Sequence, residues 1–255
     1  MKKNRLVYIL LIVVVAFQAC KKEGEPIIYP SFGQLKISGS TSSALIIAVD
    51  GKVTDTLAST SGSDLVLTVE EGKRKISLLD SLKKTVLDTT ITIKSGSITN
   101  LSNFFYTGDG LLFPDPDSTR KPTPGHALVR IVITDKNLPD VLNIDIVKLD
   151  FATGESTPVA HIDGLTKSAF SGYIDLSDPL SADAFYVIEG TDLSGNKVMS
   201  IESGNYGIIS YDTDINVGLT FLPNSIISLG IGPIPSDGSL PFHDPLVIFK
   251  RIATP

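Results

Sequence analysis

Tryptophan is absent from this 255-residue chain, cysteine occurs once and histidine three times. Each shortage closes off a kind of chemistry. A single cysteine cannot form an internal disulfide, so folded parts must be held by core packing. His126, His161 and His243 are scattered, and none has a second His or Cys at a metal-ligand spacing. No Gly-x-Ser-x-Gly elbow and no phosphate-cradling glycine loop occurs. Basic residues are also in short supply: 22 Lys and Arg stand against 28 Asp and Glu, with no basic stripe. Such a chain repels nucleic acid, so nucleic-acid binding is excluded. Without tryptophan, stacking on a sugar would fall to "FFY" (Phe104–Tyr106) and to Tyr173, Tyr186, Tyr206 and Tyr211. The simpler reading of those rings is core filling with hydrogen-bonded hydroxyls. The expectation is a non-catalytic protein with no cofactor and no metal.

Two acidic groupings merit weighing as calcium ligands. Asp115 and Asp117 lie between prolines, too few oxygens for a site that wants six to eight. Asp212, Asp214 and Asn216 have the opening spacing of a calcium loop, but Val217 stands where glycine is needed. The same spacing marks the solvent face of a strand, which is the reading preferred here. Asp192 and Asn196 read as turn formers.

What the chain does have begins at its start. Lys2, Lys3 and Arg5 precede an apolar run from Leu6 to Phe17, which stops at Ala19-Cys20 and gives way to "KKEGEP". The run is shorter than the roughly 20 residues that cross a bilayer as a helix. Basic start, short apolar middle and a small residue at a break form the secretory-signal pattern. Removal of the leader would take the net charge from −6 to near −9.

From Phe32 onward, runs of Val, Ile, Thr and Leu alternate with Gly, Asp, Asn and Ser, the pattern of strands and tight turns. Strands are expected near 34–38, 44–49, 52–57, 65–69, 74–79, 85–93 and 97–106. A second set is expected near 126–134, 141–150, 157–163, 169–176, 184–190, 196–202, 206–211, 214–221, 225–230 and 245–252. Asp50-Gly51 suits a type I′ hairpin turn, and Glu71-Gly72 is read likewise. In "TVLDTTITI", Leu87, Thr89, Ile91 and Ile93 share one face. "FPDPDSTRKPTPG" (Phe113–Gly125) has four prolines and reads as a linker. The expected fold is all-β: two antiparallel immunoglobulin-like sandwiches, at 31–113 and 126–255, joined by a Pro-rich linker at 114–125. A signal peptide (1–19) and a tether (20–30) precede them. No sequence repeat links the two halves.

Two resemblances add to this. The segment ending Ala19-Cys20 resembles a bacterial lipobox, with Phe17 where leucine is commonest. It implies cleavage between Ala19 and Cys20 and lipid on the Cys20 sulfur. The acids after Lys21 look like the surface-export signal of Bacteroidota-type lipoproteins. That resemblance implies an outer-membrane, surface-exposed location. "ALIIAVDGKV", "LVLTVEEGKRKISLLD" and "TVLDTTITIKSGSITNL" resemble a family of secreted immunoglobulin-like domains of unknown function, over about residues 34–110. It implies a fold and no chemistry. The expected role is a lipid-anchored binding or structural module with an unknown protein or glycan ligand. The alternatives are an accessory glycan-binding lipoprotein of a nutrient-uptake system, or a fimbrial or adhesin-like subunit. Asp55-Thr56-Leu57, Asp80-Ser81-Leu82, Asp88-Thr89-Thr90 and Asp117-Ser118-Thr119 resemble the O-glycosylation acceptor of exported Bacteroidota-type proteins. Ser118, in the linker, is the site expected to be modified first, and Thr89 is expected to be buried.

Overall fold

The computed structural model describes residues 29–58, 63–150, 152–177, 184–210, 219–234, 243 and 245–253. Ala19, Cys20, the tether as far as residue 28, and Asp212, Asp214 and Asn216 lie outside the described residues. The fold is all-β.

The first sandwich holds β1 (Phe32–Thr41), β2 (Leu45–Val49), β3 (Lys52–Leu57), β4 (Ser63–Glu70), β5 (Gly72–Leu79), β6 (Thr85–Ile93), β7 (Ile98–Tyr106) and β8 (Leu111–Leu112). One sheet has the order β4-β1-β7-β8 and the other β3-β2-β5-β6. Alternation drives the packing, because successive side chains on a strand face opposite ways. Leu35 and Ile37 of β1 meet Leu45 and Ile47 of β2 and Ile76 and Leu78 of β5, all fully buried. Each such side chain contributes roughly 1.5–3 kcal/mol by leaving water. In β6, Asp88, Thr90 and Thr92 are exposed, while Leu87, Thr89 and Ile91 are half-buried and Ile93 is buried.

Asp50-Gly51 forms the expected hairpin, both residues lying at positive φ (50° and 80°) with Val49 paired to Lys52. Glu71-Gly72 does not form a hairpin. β4 pairs with β1, whereas β5 pairs with β2 and β6, so this dipeptide is a corner between the two sheets. Gly72 turns the corner at φ 117°, a region open in practice only to glycine. Arg74 then fixes the corner. It donates to the Glu70 and Glu71 carbonyls and pairs with the Asp50 and Glu70 carboxylates.

The second sandwich holds β9 (Ala127–Ile133), β10 (Val141–Asp150), β11 (Ser156–Thr166), β12 (Ile174–Leu176), β13 (Ala184–Thr191), β14 (Lys197–Met199), β15 (Gly207–Ser210), β16 (Leu219–Thr220), β17 (Ser225–Ile231) and β18 (Pro245–Ile252). Its sheets run β12-β9-β17-β18 and β11-β10-β13-β15-β16, with β14 also on β13. The strand expected at 169–176 begins only at Ile174. The Ser171 hydroxyl takes the Ile131 amide at 2.9 Å, ending the regular ladder there. Of the strand expected at 214–221, β16 is the described part.

The two sandwiches repeat one topology. In each, the first strand lies between the fourth, antiparallel, and a later strand, parallel, which is the seventh in the first sandwich and, after the added β15 and β16, the ninth in the second; β1–β4 and β1–β7 match β9–β12 and β9–β17. In each, the last strand pairs antiparallel to the one before it. The second strand likewise lies between the third and fifth. The repeat is one of strand order, which needs only the same alternation and turn positions and therefore leaves no sequence repeat.

Candidate functional site

The segment 113–125 is tied down by several side chains. It lies as a strap across the outer face of β9, β17 and β18. Arg251 of β18 donates to the carbonyls of Asp117, Ser118 and Arg120 at 3.1, 2.7 and 3.0 Å. Arg130 of β9 donates to the Phe113 carbonyl at 2.9 Å and to the Ser228 hydroxyl at 2.7 Å. Gly125 donates to Asn224 Oδ1 at 2.9 Å, closing the strap's far end. A proline-rich segment has few amides to offer a ladder. Here its carbonyls accept from arginine forks instead.

Within the strap, Arg120 pairs with Asp115 at 2.8 Å and lies 4.7 Å over the Tyr173 ring. Burial pushes the Asp115 carboxyl up, but the Asp117 amide and Arg120 outweigh it and hold the group below the ordinary carboxylate range. Asp117 accepts from the Thr119 hydroxyl and amide, which lower its pKa. Asp115 and Asp117 are thus committed to arginine and to turn amides. Arg130 sits 4.1 Å over Phe170. Burial lowers its pKa from the usual guanidinium value, yet a guanidinium keeps its charge in such a site.

Above the strap, Phe105 and Leu112 of the first sandwich and Val132 of the second are buried together, with Phe170, Ile248 and Phe249 packed against them. The Thr107 hydroxyl donates to the Lys167 carbonyl at 2.7 Å across this seam. Lys167 itself reaches Asp140 at 2.9 Å.

The three histidines each find an aspartate that sequence spacing does not reveal. His126 pairs with Asp175 at 2.7 Å, and His243 lies 3.5 Å from Asp135, both of those side chains being buried. His161 on β11 pairs with Asp145 of β10 at 2.6 Å and with Asp163 at 3.0 Å. Its hydrogen bonds, first to Asp145 and then to Asp163, raise its pKa. Asp145 lies opposite His161 in the β10–β11 register, 16 residues away in sequence. Only that register could have disclosed the pair. No group of three or more His, Cys, Asp or Glu side chains among the described residues could hold a metal ion.

The sequence-derived candidates fall as follows. Ser118 is exposed on the strap, Ser81 and Thr56 are also exposed, and Thr89 is half-buried rather than buried, because β6 is an edge strand. Asp192 caps its hairpin, accepting from the Ser194 and Asn196 amides at 2.8 and 2.9 Å. Of the rings that might have stacked on sugar, Phe104, Phe105, Tyr106 and Tyr186 are buried, Tyr173 and Tyr206 are half-buried, and Tyr211 lies outside the described residues. The Tyr106 hydroxyl donates to the Gly108 carbonyl and that of Tyr186 to the Ser177 carbonyl.

No family model and no curated protein matches this chain. Among solved structures, the chain has a distant likeness to an FMN-binding beta-glucuronidase from Facaelibacterium prausnitzii L2-6, with 15% sequence identity and a TM-score of 0.20. The likeness covers 84% of this chain and 32% of that one, so the chain spans about a third of its length. A similarity of that size carries no argument about fold or activity.

Proposed function

We propose that the chain is a lipid-anchored, non-catalytic binding or assembly module of the outer membrane, exposed at the cell surface. One observation carries the reading: the only cysteine stands between a short apolar run and a charged, proline-bearing tether. Two or three acyl chains on Cys20 would hold the protein firmly, where one would bind only marginally. The described structure supports a non-catalytic role, since its polar clusters tie strands and strap together. A fimbrial or adhesin-like role is a second reading, favoured by an open sheet edge in the first sandwich. In cells fed labelled palmitate, wild-type protein should carry label and sediment with membranes. Cys20→Ser should lose the label and leave a longer or released chain. A Cys20→Ser protein that is still labelled would overturn the proposal.

A further inference from the structure

The repeated topology makes one strand conspicuous by its length. In the second sandwich the last strand, β18, pairs with β17 from Ser225 to Ile231, and every residue of β17 is buried. In the first sandwich the eighth strand, β8, has two residues and pairs only with Phe105 and Tyr106 of β7. Burial follows pairing. Phe104, Phe105 and Tyr106 are buried, whereas Ile98 to Ser102 alternate between exposed and half-buried and Asn103 is exposed. Ile98 is 59% exposed. Leu101 on β7 is only half-buried, as are Leu87 and Ile91 on β6, the edge strand of the facing sheet. An apolar stripe thus lies along a flank that no other strand covers among the described residues.

The backbone of that edge is oriented to accept a strand. Gln34 donates to the Ser97 carbonyl and pairs with Ile98. In a parallel ladder, bonding residues alternate. Thr99 and Leu101 therefore bond toward β1, and the amides of Ile98, Asn100 and Ser102 point away from it. Regular edge strands with free amides invite strand addition unless they are blocked. Neither β6 nor β7 contains proline or lysine. Lysines stand instead at the two ends of β6, where Lys83, Lys84 and Lys94 form no ion pair among the described residues.

We propose that this flank is a docking edge for an extended segment of a partner protein, which adds antiparallel to β7 as a full-length eighth strand. The segment is apolar at alternate positions, to cover Leu87, Ile91 and Leu101, and acidic at its ends, to meet the lysines. The proposal stands apart from the lipid anchor, and its test does not require one.

The test uses the chain from residue 21 onward and a capped peptide, Glu-Glu-Thr-Val-Thr-Ile-Thr-Val-Glu-Glu, read by amide hydrogen exchange. At millimolar peptide, exchange at Ile98, Asn100 and Ser102 should slow about tenfold or more, while Thr99 and Leu101, already bonded to β1, change little. The same peptide with lysine in place of glutamate should bind about fivefold more weakly at low salt. Asn100→Pro removes one outward amide without touching the β1 ladder, so it should abolish the protection and keep the melting temperature. Unchanged exchange at all three amides with peptide would overturn the proposal. So would slow exchange at those amides before peptide is added. A dimer of the chain that protects them in solution would also overturn it, by giving the edge to a second copy.

Discussion

His161 shows how much a single residue can depend on pairing that sequence does not display. The imidazole bridges Asp145 and Asp163 on an exposed sheet face, and those two hydrogen bonds raise its pKa above the ordinary value of 6.5. A group whose pKa is raised on folding stabilises the fold fully below its unfolded pKa, and loses that contribution as pH rises through the folded one. The melting-temperature gap between wild type and His161→Gln should therefore be largest near about pH 5.5 and shrink toward about pH 8.5. A gap that is flat or widens with pH would contradict the geometry. Arg74 acts at the same scale. Its guanidinium lowers the pKa of Asp50, after the Lys75 amide, and ties the Asp50-Gly51 hairpin to the Glu71-Gly72 corner.

At the scale of elements, local signals were legible and remote ones were not. The Asp50-Gly51 hairpin could be read because both strands of the pair adjoin the turn and both turn residues take positive φ. The two-faced pattern of β6 was legible because alternation is written along the chain, and the return of "LVIFKRI" as β18 because the segment is too apolar for a solvated tail. Glu71-Gly72 looked like another hairpin because sequence cannot say which sheet a strand joins. The histidine–aspartate pairs and the arginine forks were hidden because each crosses between strands or reaches a backbone carbonyl. The strap is the clearest case. Its prolines marked it as irregular, but what holds it is Arg251, more than 130 residues away. Arg251→Ala removes three charge-assisted bonds and should cost about 1–3 kcal/mol of stability. Trypsin should then cut after Arg120 in the variant well before it cuts wild type. Equal cleavage rates would show that the strap is held by something else.

At the scale of the whole molecule, one topology is used twice and the copies are joined along a seam. Gly110 sits at that seam, where a Cβ would come within 2.6 Å of the Ser168 backbone. Gly110→Ala must therefore push β8 from the second sandwich, at a cost of about 1–3 kcal/mol by overpacking. Calorimetry should show the wild-type transition broadening or splitting in this variant, and an unshifted single peak would mean that the seam couples nothing. The last strands of the two sandwiches differ in length. β18 runs its full length, whereas the chain leaves β8 after two residues to become the strap.

We propose that this pair of sandwiches is displayed from a membrane through Cys20. The mass of the amino-terminal peptide of protein purified from its own host decides it. A peptide beginning at Cys20 and carrying two or three acyl chains is the predicted result. A chain that begins at Met1, or one in which Cys20 is an unmodified thiol, would contradict it.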